Sequence, residues 1–154
     1  MKQFVLLLSF VLFVSCTFAQ PPSEKLFKKY GDKEGIDVSI HSEQLAVDSS
    51  TNTPITSVIK TLTVENDDEE KHRSKLFKQL VNECKKLLEN KNYAVLQHEK
   101  DEDELTKICK YAKNGTVEIC ILELDEDELT LTTTIITGLS EKAMKDFKFN
   151  NTKH

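Results

Sequence analysis

The chain contains no tryptophan, and aromatic residues make up only 7% of its 154 positions. It therefore lacks an aromatic platform on which sugars or nucleic-acid bases could stack. Glycine is also scarce, and no glycine-rich loop that could cradle a phosphate group occurs. A G-x-S-x-G nucleophile elbow and a C-x-x-C redox pair are absent as well. Because no catalytic motif is present, we expect a protein that is not an enzyme and that holds no cofactor.

Acidic residues outnumber basic ones by 26 to 21, which gives a net charge of −5 at pH 7. An acidic chain does not attract nucleic acid or an anionic membrane surface, so we expect no nucleic-acid partner. The charge weakly favours cationic partners. We expect the partner to be an as yet unknown protein of the cell envelope.

The first 19 residues have the pattern of a secretory signal peptide. Lys2 supplies the positive start, and an apolar stretch follows from Phe4 to Phe13. The small residues Thr17 and Ala19 then mark a cleavage site before Gln20. The apolar stretch is shorter than the roughly 20 residues that a membrane-spanning helix needs. This interpretation predicts an exported protein, periplasmic or secreted, and leaves residues 20–154 as a single domain.

A second interpretation of the leader remains open. The segment Phe13-Val14-Ser15-Cys16 resembles a bacterial lipobox, in which the cysteine is lipidated and becomes the mature N-terminus. The usual leucine at the first position is replaced here by Phe13. Under this interpretation, Cys16 would anchor an outer-membrane lipoprotein. Membrane association would come only through the signal peptide or this anchor.

The pattern of apolar residues in residues 20–154 predicts an α+β fold. We expect an antiparallel sheet of five to six strands that ends in a C-terminal meander, with one long helix on one face and short flanking helices. The predicted helices are Glu24–Tyr30, Asp68–Asn90 and Ser140–Phe149. The predicted strands are Ile36–His41, Ile55–Glu65, Tyr93–His98, Leu105–Lys113, Thr116–Leu124 and Leu129–Thr137, with a polar loop over Asp48–Pro54.

Three local signals set the expected helix starts and the tightest turn. Ser23 is the expected N-cap of the first helix, and Asn66 the expected N-cap of the long helix, with Glu69 completing a variant capping box. Asn114-Gly115 separates two strand-like runs, and this dipeptide favours a two-residue type I′ hairpin turn. A two-residue loop fixes the register, so Leu105 is predicted to lie opposite Leu124.

The hexapeptide DEDELT occurs at Asp101–Thr106 and again at Asp125–Thr130. The hairpin register places the two acidic phrases side by side at one end of the sheet. They are either solvated turns or a weak site for a divalent cation such as Ca²⁺, which takes six to eight oxygen ligands. The candidate ligands are Asp101, Asp103, Asp125 and Asp127. If the turns form a cation site, we expect the protein to be a divalent-cation or small-ligand binding module.

Three cysteines lie beyond the leader, at Cys84, Cys109 and Cys120. The predicted register puts Cys109 opposite Cys120, which in an exported protein allows either a disulfide or packing of two small side chains. Cys84 lies on the apolar face of the long helix, where core packing is its expected role. The four histidines show no metal-ligand spacing with each other or with cysteine. The acidic pairs lie in turns and at helix ends, outside the apolar runs that could raise a pKa.

The segments Leu26–Ile40, Ile55–Glu65 and Thr137–Ser140, with the lysine-rich helix between them, are similar to an exported Bacteroidota family known as domain of unknown function 4252. The resemblance spans nearly the whole chain after the leader, and the acidic turn before the last strand departs from it. It implies an exported or envelope location in a Gram-negative bacterium. The family carries no assigned activity or site residues, so the resemblance implies none here.

The two interpretations of the leader predict different masses for the protein isolated from its native envelope. Cleavage before Gln20 gives a mass that starts at that residue, and this is the mass we expect. A mass that fits acylated Cys16 would contradict it and establish a lipid anchor. Measuring the intact mass before and after reduction also tests the cysteines, because a disulfide between Cys109 and Cys120 would add two protons on reduction.

Overall fold

The computed structural model describes residues 20–67 and 69–148. It confirms the predicted fold class, with a six-stranded antiparallel sheet and a few helices. The helices are α1 (Glu24–Tyr30), α2 (Lys71–Leu88) and α3 (Glu141–Asp146). The strands are β1 (Asp37–Asp48), β2 (Thr53–Glu65), β3 (Ala94–Lys100), β4 (Leu105–Lys113), β5 (Thr116–Leu124) and β6 (Glu128–Thr137). Their order across the sheet is β1-β2-β6-β5-β4-β3, so β1 and β3 form its two edges.

The main core lies between one face of the sheet and the helices α1 and α2. Side chains alternate between the two faces of a strand, and the central strands turn a mostly apolar surface toward these helices. The strand residues of this core are Leu62, Val64, Cys109, Tyr111, Cys120, Leu122, Leu129 and Leu131. The helices contribute Leu26, Phe27, Tyr30, Leu76, Phe77, Leu80, Cys84 and Leu88. Each fully buried leucine stabilises the fold by roughly 1.5–3 kcal/mol.

The opposite face of the sheet carries a smaller core. Ile108, Val117 and Ile119 are buried there, and Met144 and Phe147 pack against them from α3 and its end. Ser140 caps α3 by accepting a hydrogen bond from the backbone N–H of Ala143 at 3.3 Å, as expected of an N-cap. The helix ends at Asp146, three residues before the predicted end at Phe149, which lies outside the described residues.

The long helix α2 starts later than predicted. Asn66 does not cap it, because the Asn66 side chain donates to the carbonyl oxygen of Glu126 at 3.2 Å. Asp67 instead accepts hydrogen bonds from the backbone N–H groups of Glu69 and Glu70, and the helix begins at Lys71. The acidic residues therefore form the turn that leads into the helix and do not occupy its first turn. Among the described residues, no helix is long and apolar enough to cross a membrane.

The first strand is twice as long as its predicted alternating pattern. It continues through His41 to Asp48 and pairs with β2 along its whole length, apart from an irregularity between Gln44 and Ala46. The predicted polar loop over Asp48–Pro54 is correspondingly shorter. Asp48 closes this turn by accepting a hydrogen bond from the backbone N–H of Ser50 at 2.8 Å. The prediction missed the added strand because its residues are exposed and lack the alternation that one buried face imposes.

Two of the glycines with positive φ angles, Gly35 and Gly138, differ in the space around the position of a Cβ atom. Replacing each by alanine therefore distinguishes the free-energy cost of backbone strain from that of a steric clash. A Cβ at Gly138, where φ is 86°, would lie 2.1 Å from the backbone oxygen of Pro54. A Cβ at Gly35, where φ is 82°, would lie at ordinary contact distance from Arg73. We expect Gly35→Ala to lower the free energy of unfolding by about 1 kcal/mol, from backbone strain alone.

Gly138→Ala must also move the backbone of β2, so we expect it to cost about 2–3 kcal/mol or more. Urea unfolding of both variants beside the wild type measures the difference. Equal losses in the two variants would contradict the close approach of Gly138 to Pro54.

Candidate functional site

A buried carboxyl group lies on the helix-covered face, near the turn that joins β4 to β5. Glu118 in β5 is fully buried, between Val117 and Ile119, which point to the other face. The hydroxyl of Ser23 donates to Glu118 Oε1, and the hydroxyl of Tyr93 donates to Oε2 at 2.5 Å. The Cys120 thiol donates in turn to the Tyr93 oxygen at 3.5 Å. These four side chains, Ser23, Tyr93, Glu118 and Cys120, form what we call the carboxyl cluster.

Burial sets the protonation of the carboxyl cluster. It raises the pKa of Glu118, and the hydrogen bonds from Ser23 and Tyr93 offset this only in part. Burial also raises the pKa of Tyr93 and that of Cys120. The cluster is therefore biased toward neutral forms, which low-dielectric surroundings favour. Glu118 and Cys120 have no exposed surface, and the hydrogen bonds of the cluster tie three separate chain segments together.

Sequence reasoning missed this cluster. The expectation concerned acidic pairs and overlooked the single acidic residue Glu118, which stands in the apolar run Val117–Leu122. Its position in the predicted hairpin was the available signal, since residues 118, 120 and 122 share one face of a strand. Ser23 occupies the predicted N-cap position of α1, but it does not cap the helix through its side chain. Its side chain makes no capping hydrogen bond, because the hydroxyl is engaged with Glu118.

The hairpin of β1 and β2 presents the most exposed apolar surface of the described residues. Ten of the twelve β1 residues are exposed. Ile40 is 64% exposed, and Leu45, Val47 and Ile59 are also exposed. The helix α2 packs over β2, β5 and β6, and within β1 only Val38 and Asp48 are partly buried. Exposed large apolar side chains on a sheet edge are typical of an edge that meets another chain.

The edge formed by β1 also lacks several usual protections against strand pairing. Lysine and proline commonly guard edge strands, and neither occurs between Asp37 and Asp48. A register irregularity follows Gln44, but the eight residues Asp37–Gln44 pair regularly with β2. In the described part of the chain no other strand lies beside β1, so its outer backbone groups are open to a partner.

The two acidic phrases lie together, as the hairpin register predicted. Leu105 pairs with Leu124, which brings the acidic turns to one end of the sheet. Each turn is closed in the same way, by the backbone N–H of Asp101 on the oxygen of Glu104 and that of Asp125 on the oxygen of Glu128. The repeated letters thus encode a repeated turn.

The four candidate calcium ligands are divided between these turns. The Asp125 carboxylate accepts hydrogen bonds from the backbone N–H groups of Asp127 and Glu128, at 2.8 and 2.6 Å, so turn formation already occupies it. No group of three or more histidine, cysteine, aspartate or glutamate side chains within the described ranges could hold a metal ion. The proposal of a cation site at Asp101, Asp103, Asp125 and Asp127 stays a prediction that the side-chain geometry does not support.

The three cysteines of the described chain are buried free thiols. Cys109 pairs with Cys120 as predicted, but the two thiols donate in different directions. Cys109 faces the carbonyl oxygen of Leu88 at 3.8 Å, whereas Cys120 faces Tyr93. In the structure, Cys109 and Cys120 therefore pack as two small side chains and form no disulfide. Burial raises the pKa of Cys84 to about 12, which keeps that thiol protonated and unreactive. The predicted lipidation residue Cys16 and the signal peptide lie outside the described residues.

Comparisons with known proteins give no information about the function of this chain. No protein-family model matches the chain. No curated protein matches it either. Among solved structures it is similar to the crystal structure of a DUF4853 family protein from Actinomyces odontolyticus, with a TM-score of 0.36 and 13% identity. That match covers 86% of this chain and 70% of the other, and a likeness at this level carries no functional argument.

The raised pKa of Glu118 makes stability depend on pH. The folded protein holds the Glu118 proton more tightly than the unfolded chain does, where the pKa is about 4.5. The stability that this proton contributes is complete below the unfolded pKa and is lost as pH rises through the folded pKa. Across that window, we expect the wild type to lose about 1.4 kcal/mol per pH unit relative to Glu118→Gln, which cannot ionise.

Urea unfolding between pH 4 and pH 8 measures this difference. Glu123→Gln is the matched control, since Glu123 is exposed on the same strand and should show no such trend. Parallel stability curves for the wild type and Glu118→Gln would contradict the assignment of a raised pKa to Glu118.

Proposed function

We propose that this protein is an exported, non-enzymatic interaction domain that recruits an extended segment of a cell-envelope protein through the outer edge of β1. The observation that carries the proposal is the open strand segment Asp37–Gln44, which bears the exposed side chain of Ile40 and no guarding lysine or proline. A segment added beside it would gain a ladder of backbone hydrogen bonds over roughly 27 Å.

The charges of β1 indicate the chemistry of the partner strand. Asp37, Glu43 and Asp48 are acidic, and β1 has neither lysine nor arginine. A partner strand with alternating basic and apolar residues would place its cations beside these carboxylates and its apolar side chains beside Ile40. A second copy of β1 would bring acidic residues together instead, so the charge pattern favours a different partner.

Two features support an exported location. The leader pattern of residues 1–19 is typical of secretory signal peptides, and export would place the domain in the periplasm or outside the cell. Lipidation at Cys16 would instead hold it at the outer membrane. The resemblance of Leu26–Ile40 and Thr137–Ser140 to the exported Bacteroidota family agrees with either location.

The carboxyl cluster supports the non-enzymatic part of the proposal. Burial raises the pKa values of Glu118, Tyr93 and Cys120, and catalytic groups often have shifted pKa values. However, Glu118, Ser23 and Cys120 are fully buried, and their hydrogen bonds are directed at one another. Their arrangement stabilises the junction of α1 with the sheet, and it places no reactive group on an accessible surface.

A synthetic peptide of eight alternating lysine and valine residues tests the proposed edge. We expect saturable binding by isothermal titration calorimetry, weakened at least about tenfold by Ile40→Lys, which adds a guarding charge to the edge. Val95→Lys is the matched control, because Val95 is 54% exposed on the opposite edge strand. It adds the same charge to the protein, so general repulsion of a cationic peptide would affect both variants equally.

Two further results would overturn the proposal. Equal binding of a peptide that alternates glutamate and valine would remove the argument from charge. A dimer in solution that Ile40→Lys dissociates, measured by light scattering after size-exclusion chromatography, would identify a second copy of the chain as the occupant of β1.

A further inference from the structure

A cleft of about 550 Å³ opens between α1, the end of α2 and the turn end of β4. It lies on the helix-covered side of the sheet, four strands away from β1. Four lysines line it, Lys25, Lys29, Lys86 and Lys113, together with one carboxylate, Glu83. The volume falls within the range of small-molecule sites, roughly 300–1,000 Å³.

The lysines give this cleft a charge opposite to that of the whole chain. Glu83 is paired with Lys29 at 2.5 Å, so these two charges offset each other. Within the described residues, no carboxylate lies within salt-bridge distance of Lys25, Lys86 or Lys113. Three lysines thus converge on one cleft of a protein whose net charge is −5. Such a concentration of one sign attracts and holds an oppositely charged ligand.

The cleft also has apolar walls and amide groups. Pro22, Leu26, Leu87 and Tyr111 contribute apolar surface. Asn90 and Asn92 lie beside them and carry side-chain amides that can donate hydrogen bonds. A largely apolar lining with a few convergent polar groups is the composition expected of a ligand site. It suits a molecule with an anionic head and an apolar body.

Buried contacts fix the walls of the cleft in place. Pro22 directly precedes Ser23, whose hydroxyl donates to the buried Glu118. Tyr111 packs against Tyr93 with ring centroids 6.1 Å apart, and Tyr93 donates to the same carboxyl group. Two walls are therefore anchored to one buried residue. A site that is formed before the ligand arrives avoids part of the ordering cost of binding.

We propose that this cleft binds a phosphate monoester that carries an alkyl or aryl group. The doubly charged phosphate would lie among Lys25, Lys86 and Lys113, where each ammonium group donates charge-assisted hydrogen bonds. The apolar group would lie against Leu26, Leu87 and Tyr111. Inorganic phosphate supplies the charge without the apolar body, and a lipid-like phosphate supplies both, so the two sources differ in affinity.

Isothermal titration calorimetry of the purified protein with three probes tests the proposal. We expect hexyl phosphate to bind at least about tenfold more tightly than inorganic phosphate, because it also buries its hydrocarbon chain. We expect no binding of hexyltrimethylammonium, which has the chain but the wrong charge. Equal affinity for hexyl phosphate and inorganic phosphate would overturn the apolar part of the site. Binding of the cation would overturn its charge selectivity.

Lysine variants locate the site on the protein. We expect Lys86→Gln and Lys113→Gln each to weaken hexyl phosphate binding about tenfold, since each removes a charged donor. Lys78→Gln is the matched control, because Lys78 is exposed on the same helix as Lys86 but does not line the cleft. Its affinity should stay within about twofold of the wild type. An equal loss in all three variants would show non-specific attraction and overturn the assignment of this cleft.

Discussion

The two-residue turn at Asn114-Gly115 determines which side of the sheet each residue of β4 and β5 occupies. Both turn residues have positive φ angles, 48° and 76°, which asparagine and glycine adopt at little cost. A slip of one residue would exchange the two faces of a strand. It would move Cys120 and Leu122 away from the helices and bring Ile119 toward them. The main core, the pairing of the acidic turns and the position of Glu118 all depend on this register.

The same register places a carboxyl group under the helices, where burial alone would destabilise the fold. Two hydroxyl donors compensate Glu118, and they come from the start of α1 and from the segment before β3. A hydrogen bond to a buried carboxyl is worth more than one at the surface, since water cannot replace it. Glu118 thereby links local order at the N-terminal segment to the central strands. This link gives the lysine-lined cleft a rigid frame, although the carboxyl group itself does not reach the cleft.

The sheet is protected unequally across its width. The central strands are covered by α1 and α2 on one face and partly by α3 on the other. The edge strand β1 extends beyond this cover and pairs only with β2. Both its outer backbone groups and its exposed apolar side chains are open to solvent. The lysine-lined cleft and the β1 edge lie on opposite halves of the molecule, so a small anion and an extended protein segment could be held together without competing.

Local patterns in the sequence determined most of the secondary structure. Apolar residues marked α2 and the strands β4, β5 and β6, because α2 buries one face and β5 buries both faces. Asn114-Gly115 determined a register that the structure confirms pair by pair. The exposed half of β1 escaped prediction because a strand without a buried face leaves no alternating pattern. The predicted start of α2 was wrong because the Asn66 side chain donates to the backbone oxygen of Glu126, 60 residues away, and does not cap the helix.

The tertiary structure alone decided the sites. Ser23 has the sequence context of an N-cap, yet its hydroxyl serves a carboxyl group 95 residues away, which local propensity cannot reveal. The lysines of the cleft come from α1, α2 and β4 and have no spacing in common along the chain. Sequence determines which residues are buried through short-range periodicity. Which polar groups meet depends on how distant segments pack, and that packing is a property of the whole fold.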